Sequence, residues 1–414
     1  MQDWSKKSKP LIIWYSRIII NKFDRIFVNC QIIRIFDRNN IKCQNMEKYD
    51  RNKPYNNLPL IPPEENKIVT IAILKALNNA NKALAELKGI AKKLPNQSML
   101  VNTISLREAK ASNEIENIFT TDDELYKSLT IKETELKGGA KEVLFYRQAL
   151  WTGYNEIKKN KEFDLDLIIK IYQQIIQIND GIRPPQTETV IMKRGSGLLG
   201  GSVVYTPPRG IEIIKQKLEN LFEFINNDKD YPYDPLIKLA ISHYQFEAIH
   251  PFRDGNGRTG RILSILIMIQ KELLEVPILY LSAYIIRQKE DYYYLLNRIT
   301  ATDNWEKWII YNLKAIEETS IYTIAKIEEI DRLFVNTHEL IKKKLPHIRK
   351  ETVEKIFEQP YISPKRLIDN NVKSLNTAKK YLGQMGELGI MIPKKIGKEV
   401  VFLNIDLYNL LSEI

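Results

Sequence analysis

Twelve consecutive residues hold most of the chemistry this chain could do: His250-Pro251-Phe252-Arg253-Asp254-Gly255-Asn256-Gly257-Arg258-Thr259-Gly260-Arg261. Largely apolar runs at 236–241 and 262–269 flank them, so the segment reads as a loop held between two core helices. Gly255 and Gly257 let the backbone approach an anion. The helix that follows aims free N–H groups and the positive end of its dipole at the same place. Arg258 and Arg261 are three apart and share a face of that helix, and two guanidiniums beside an anion hole suit a polyphosphate. Asp254 offers a hard oxygen to Mg²⁺, which typically takes one or two carboxylates together with phosphate oxygens. His250 is the group suited to accept a proton near neutral pH. A polar turn with a surface histidine would account for the glycines but not for this crowding. The parts together describe phosphoryl or nucleotidyl transfer from a nucleotide to a hydroxyl.

The elements that must position these groups are mainly helices. Apolar residues at three- and four-residue spacing predict a helix over 66–94, and another is expected over 105–118. Thr120-Thr121-Asp122-Asp123-Glu124 is an N-terminal signal for a further helix. More are expected near 139–159, 163–178, 210–227, 232–249, 257–274, 283–297 and 303–345. Residues 189–193 and 203–205 flank a Gly-rich turn and read as a β-hairpin. That turn contains a formal G-x-G-x-x-G string from Gly195 to Gly200. A β-branched run and two prolines follow it where a dinucleotide fingerprint needs a helix, so it reads as a hairpin tip. In the last seventy residues, short helices at 350–358 and 363–370 precede a longer one at 374–388. A two-stranded wing is expected through 389–393, Gly397 and 400–403.

Composition narrows the class. The chain has 414 residues, 44% of them hydrophobic and 27% charged, which can bury a sizeable core. Two cysteines, Cys30 and Cys43, and four histidines are too few for a disulfide framework, a Cys-rich zinc site or a multi-His metal centre. Residues 1–45 carry nine of the 62 Lys/Arg against three of the 51 Asp/Glu, so the body is only mildly basic. This first segment mixes Ile, Phe and Trp with basic residues at no settled period, and no apolar run approaches the ~18–20 residues of a membrane span. It reads either as a basic membrane-surface segment or as sequence preceding a true start at Met46. The expected location is the cytoplasm.

The catalytic string resembles the H-P-F-x-[DE]-G-N-G-R-x-x-R signature of Fic-domain proteins, with every defining position filled. That resemblance implies a helical Fic core with a β-hairpin flap. It also implies AMPylation, the transfer of AMP from ATP to a Ser, Thr or Tyr hydroxyl of a target protein. On this analogy His250 is the general base, Asp254 holds Mg²⁺ and Asn256 contacts phosphates. Gly255 and Gly257 form the anion hole, and Arg258 and Arg261 bind phosphate. A phosphorylating toxin branch carries Lys where Gly257 stands, so Gly257 favours AMP transfer. Ser112-Asn113-Glu114-Ile115-Glu116-Asn117 fits the family's [ST]-x-x-x-E-[GN] inhibitory motif, which implies that Ser112, Glu116 and Asn117 restrain the enzyme, Glu116 by pairing with Arg261. The 189–205 hairpin lies where the family keeps its target-docking flap. Gln288, where many relatives have Asn, and Gln245, five before His250, are further expected nucleotide contacts.

The expected organisation is a basic extension over 1–48, an N-terminal helical region with the inhibitory motif over 49–135, the Fic core over 136–345 and a winged-helix-like domain over 346–414. ATP and Mg²⁺ are the expected cofactors. A protein substrate, self-AMPylation and a homodimer are the expected associations. Arg366, Lys373, Lys379, Lys380 and the wing residues Lys394, Lys395 and Lys398 leave DNA and protein both open as partners of the last domain. Two other functions compete with the first. One is a Fic enzyme that removes AMP, with Glu116 positioning a water. The other is a DNA-binding regulator with a nucleotide-sensing Fic body.

Overall fold

The computed structural model describes residues 49–93, 97–129, 138–187, 189–193, 202–396 and 399–412. The extension over 1–48, the hairpin tip with its G-x-G-x-x-G string, and Gly397 and Lys398 lie outside those residues. The chain is mainly helical, and local signals set many of the helix starts. A short helix α1 (Glu65–Ile68) stops before Thr70, whose hydroxyl accepts from Ile73 N as α2 (Ile71–Lys93) begins. The helix expected over 66–94 is thus two. After α3 (Gln97–Ile115), Thr121 and Glu124 form a complete capping box at the start of α4 (Asp122–Ser128), an arrangement worth roughly 1 kcal/mol. Helix α5 (Gly138–Asn160) leads to α6 (Leu165–Ile176), which Asp164 caps by accepting from Leu167 N at 2.7 Å.

The flap strands β1 (Ile191–Lys193) and β2 (Ser202–Tyr205) pair antiparallel, with a bulge between Ile191 and Met192. Helix α7 (Ile211–Asn226) then precedes the central pair, α8 (Pro235–Ile249) and α9 (Asn256–Gln270). Both are buried on nearly all sides, because α9 packs against α3, α5, α6 and α8. This explains why neither has a polar face in its sequence. The expected continuation of α9 to 274 fails where Glu272 adopts a left-handed conformation, φ 57°.

The helix expected over 283–297 is likewise two, α10 (Leu281–Arg287) and α11 (Lys289–Thr302), with Gln288 between them at φ −118°, ψ 37°. The long α12 (Trp305–Lys344) lies along α2 and ties into the core where Trp308 Nε1 donates to Ala240 O at 2.7 Å.

The last region contains α13 (Lys350–Phe357), β3 (Tyr361–Ile362), α14 (Leu375–Glu387), β4 (Met391–Ile396), β5 (Glu399–Asn404) and α15 (Ile405–Ser412). Its sheet order is β3-β5-β4, all antiparallel. Sequence periodicity missed β3 and α15. In place of the helix expected at 363–370 stands one 3₁₀ turn, Pro364–Leu367. The Asp369 carboxylate accepts from Asn371 N and Val372 N, a local bonding pattern that competes with a helix.

This region is not a free appendage. Tyr361 donates to Asp123 at 2.6 Å, and Arg366 Nη2 donates to Leu129 O at 3.1 Å, so it rests on α4 and the turn that ends it. Asp122 in turn pairs with Arg107 and Lys110 of α3. Tyr49–Ile414 forms a single compact unit, and the expected boundaries at 135 and 345 fall inside it. Among the described residues no helix is long and apolar enough to cross a membrane.

Candidate active site

The site is built where α8 ends and α9 starts. His250 caps α8 in a left-handed conformation, φ 49°, ψ 58°, which turns the chain into the loop. Phe252 is fully buried and stacks on Tyr172 of α6 at 4.0 Å. Both ends of the Asn256 amide bond the backbone of Phe252, at 2.9 Å each. Asn256 therefore shapes the loop rather than offering its amide outward. Gly255 is left-handed at φ 70°, and a Cβ there would press to 2.8 Å from Ile176, so glycine is needed on two counts.

The loop has a second clamp that the sequence reading missed. Arg183 Nε donates to His250 O at 2.8 Å, its Nη2 donates to Pro208 O, and its backbone N–H donates to Pro251 O. It is 2% exposed. Only the following Pro184-Pro185 marks this stretch in the sequence.

His250 Nδ1 lies 3.3 Å from Glu247 O. A carbonyl only accepts, so this contact places the proton on Nδ1 and leaves Nε2 as a free base. Burial, with the nearby Arg183 charge, pushes the imidazole down to about 4. It is thus neutral at physiological pH, the form a base must have.

Arg261 is 2% exposed and is held through Nε and Nη2. Its Nε donates to Ser112 Oγ at 2.7 Å, and Nη2 donates to Ser112 O at 2.9 Å and to Glu116 Oε1 at 2.7 Å. Burial would raise the Glu116 carboxyl, but the charge and hydrogen bond of Arg261, with the charge of Arg258, hold it below the usual carboxylate range. Gly257 makes room for the pair, since a Cβ there would overlap Glu116 Oε1. Glu116 sits in the turn just past the end of α3, and Asn117 is left-handed at φ 63°. Ile118 N closes that turn on Asn113 O at 2.9 Å. Asn117 is thus a helix stop that fixes where Glu116 projects.

Two further residues fasten α3. Glu108, 1% exposed, accepts from Ser282 N at 2.8 Å and Tyr146 OH at 3.1 Å, and Lys289 Nζ donates to Ile115 O at 2.7 Å. Neither has a spacing signal in the sequence. Glu247 does, as a lone carboxylate in an apolar helix. Its Oε1 is buried without a hydrogen-bond partner, and burial pushes its carboxyl up to about 7.

Of the remaining expected residues, Asp254 and Arg258 stay at the loop and Gln245 and Gln288 do not. Gln245 is buried and donates to Pro59 O at 2.9 Å, tethering the N-terminal segment. Gln288 is exposed at the α10–α11 junction. Arg258 is 3% exposed, and its Nη1 pairs with Glu142 at 2.8 Å. The Asp254 side chain is 78% exposed, with one oxygen accepting from Gly255 N. Among the described residues no group of three or more His, Cys, Asp or Glu could hold a metal ion. A cation at Asp254 would thus need oxygens from a bound phosphate, which fits the way Mg²⁺ is usually held. Lys373, Lys379, Lys380, Lys394 and Lys395 are exposed, whereas Arg366 is turned onto Gln359 and Leu129.

Residues 74–155 match the family described as Fic/DOC family N-terminal, and residues 162–268 match the Fic/DOC family. Residues 333–407 match the C-terminal domain of protein adenylyltransferase SoFic-like proteins. A protein adenylyltransferase of Caenorhabditis elegans is 28% identical over 113 residues, 27% of this chain and 20% of that protein. A probable protein adenylyltransferase of Aquifex aeolicus is 29% identical over 192 residues, 45% of this chain and 55% of that protein. The chain thus spans about half or less of these relatives' length. A crystal structure of a Fic family protein from Desulfovibrio desulfuricans aligns over 81% of this chain and 96% of its own, at 17% identity and a TM-score of 0.49. With the N-terminal, Fic and SoFic-like regions matched in order along it, the chain belongs to the Fic/DOC family.

Proposed function

We propose that this protein transfers AMP from ATP to Ser, Thr or Tyr hydroxyls of other proteins and is held off by Glu116. The observation that carries the reading is Arg261, a buried guanidinium near the start of α9, already occupied by a carboxylate from the turn that ends α3. An anion site built from a helix N-terminus and two arginines and filled by a residue of the same chain is what an enzyme under its own restraint would show. The relatives named as protein adenylyltransferases support the reaction type.

In the free enzyme, His250 Nε2 accepts the proton of the target hydroxyl. The hydroxyl oxygen then bonds the α-phosphorus while the bond to the bridging oxygen breaks and pyrophosphate leaves. Arg258, Arg261 and the α9 N-terminus hold the phosphates and take up the charge of the leaving group. Asp254 would hold Mg²⁺, which supplies further neutralisation of the phosphate oxygens. Tyr205 of the flap donates to Ala248 O at 2.8 Å, two residues from His250. A target strand laid along the flap would therefore be close to the base.

Label position tests the reaction. ATP labelled at the α-phosphate should mark protein and ATP labelled at the γ-phosphate should not; the reverse result identifies a kinase. The low His250 pKa gives a second expectation. Transfer by a Glu116→Gly variant should hold its rate from pH 7.5 down to about pH 5 and fall only as the imidazole protonates near about 4. The variant also lacks the Glu116 charge, which acts to raise that value. A half-maximal rate at the ordinary histidine pKa of ~6.5 would contradict a desolvated, neutral base.

A further inference from the structure

The guanidinium of Arg258 is half used. Its Nη1 donates to Glu142 Oε2 of α5 at 2.8 Å and faces Asn113 Oδ1 at 3.4 Å. Its Nε–H is buried with no hydrogen-bond partner. Nη2 meets Asp254 Oδ2 only at 3.8 Å, beyond hydrogen-bond reach. A buried unpaired donor is unfavourable unless something arrives to accept from it. The open edge also has a direction, because a Cβ added to Gly255 would lie 3.8 Å from Nη2. Nη2 is therefore beside the glycine loop that receives an anion.

We infer that Glu142 is a positioning residue for nucleotide binding. By holding Nη1 it turns the Nε/Nη2 edge of Arg258, two parallel N–H groups, toward one phosphate. This role rests on the reading that ATP phosphates occupy the site. Glu142 holds the Nη1 end, opposite the Nε/Nη2 edge, by one charge-assisted hydrogen bond, roughly twice as strong as a neutral one. Released from it, and held at Nη1 only by the longer bond to Asn113 Oδ1, the guanidinium can rotate onto Asp254 and close the edge. Glu142 thus differs from Glu116: one carboxylate prepares an arginine for phosphate and the other occupies it.

The test is calorimetric titration of ATP in the Glu116→Gly background, with melting temperatures confirming that each variant folds. Glu142→Ala should weaken ATP binding about tenfold, the scale of one charge-assisted hydrogen bond. Glu142→Gln should retain more of the affinity, because its amide oxygen can still accept from Nη1. With Arg258→Ala already present, Glu142→Ala should add nothing, since there is no guanidinium left to orient. Parent-like affinity in Glu142→Ala would overturn the role. So would an equal loss with and without Arg258, which would mark Glu142 as ordinary packing for α5. If the Glu116→Gly parent itself bound no ATP, the nucleotide reading would fall, and this role with it.

Discussion

Replacing Glu116 by glycine should raise AMP transfer onto the protein itself by about 10²-fold, while ATP affinity changes far less. Arg261 Nη2 is shared between Ser112 O and Glu116 Oε1. With Glu116 in place, a phosphate meets a guanidinium that is already neutralised and a carboxylate that repels it. ATP can still bind through Arg258 and the loop, but with its phosphates displaced from in-line attack. A misplacement of about 1 Å costs ~10²-fold in rate, which sets the expected gain. Removing the carboxylate leaves Arg261 anchored by Ser112 Oγ and O, so the freed donors stay where the phosphate needs them. A second change, Arg261→Ala, should return the variant to inactivity, because the freed arginine does the positioning. Glu116 lies past the last helical residue of α3, so the ~1 kcal/mol cost of glycine inside a helix does not apply in full and the fold should persist. Unchanged labelling in the folded variant would reject the restraint. Gain of labelling with loss of an AMP-removing activity would show that Glu116 also positions water in the reverse direction.

Replacing His250 by alanine in the same background should remove transfer, by ~10²–10⁴-fold for loss of a general base, and leave ATP binding nearly intact. The imidazole has the attributes the step requires. It is neutral through burial, its Nδ1 faces the Glu247 carbonyl, and its backbone carbonyl is clamped by Arg183. None of these contacts holds phosphate, which is why rate and affinity should separate. Measuring kcat and ATP affinity on one preparation checks this, and equal rates with and without His250 would remove the base assignment.

The twelve-residue loop was legible because its chemistry is contiguous: a base, a hard carboxylate, two glycines and two arginines in one turn and the helix after it. The partners of that loop were not, because they come from elsewhere in the chain. Ser112 and Glu116 lie 149 and 145 residues from Arg261; a family resemblance linked them, and spacing could not. Arg183, Glu108 and Glu142 carry no periodic signal at all, since each is defined by a tertiary partner. Side-chain direction was equally hidden. Asn256 and Gln245 have the right chemistry for a nucleotide, yet their amides are turned to Phe252 and Pro59. Among the elements, capped helices were foreseen well, as at Thr121. The break at Gln288 and the 3₁₀ turn at Pro364 were not, because one depends on packing and the other on an Asp side chain bonding its own backbone.

The most direct test of restrained AMP transfer is intact-protein and peptide mass spectrometry of the wild-type chain and Glu116→Gly after incubation with ATP and Mg²⁺. Glu116→Gly should gain the mass of one adenylyl group on a Ser, Thr or Tyr, with little of it on the wild type and none when His250→Ala is added. A phosphoryl adduct in place of the adenylyl group, or equal adenylylation of all three proteins, would contradict restrained AMP transfer.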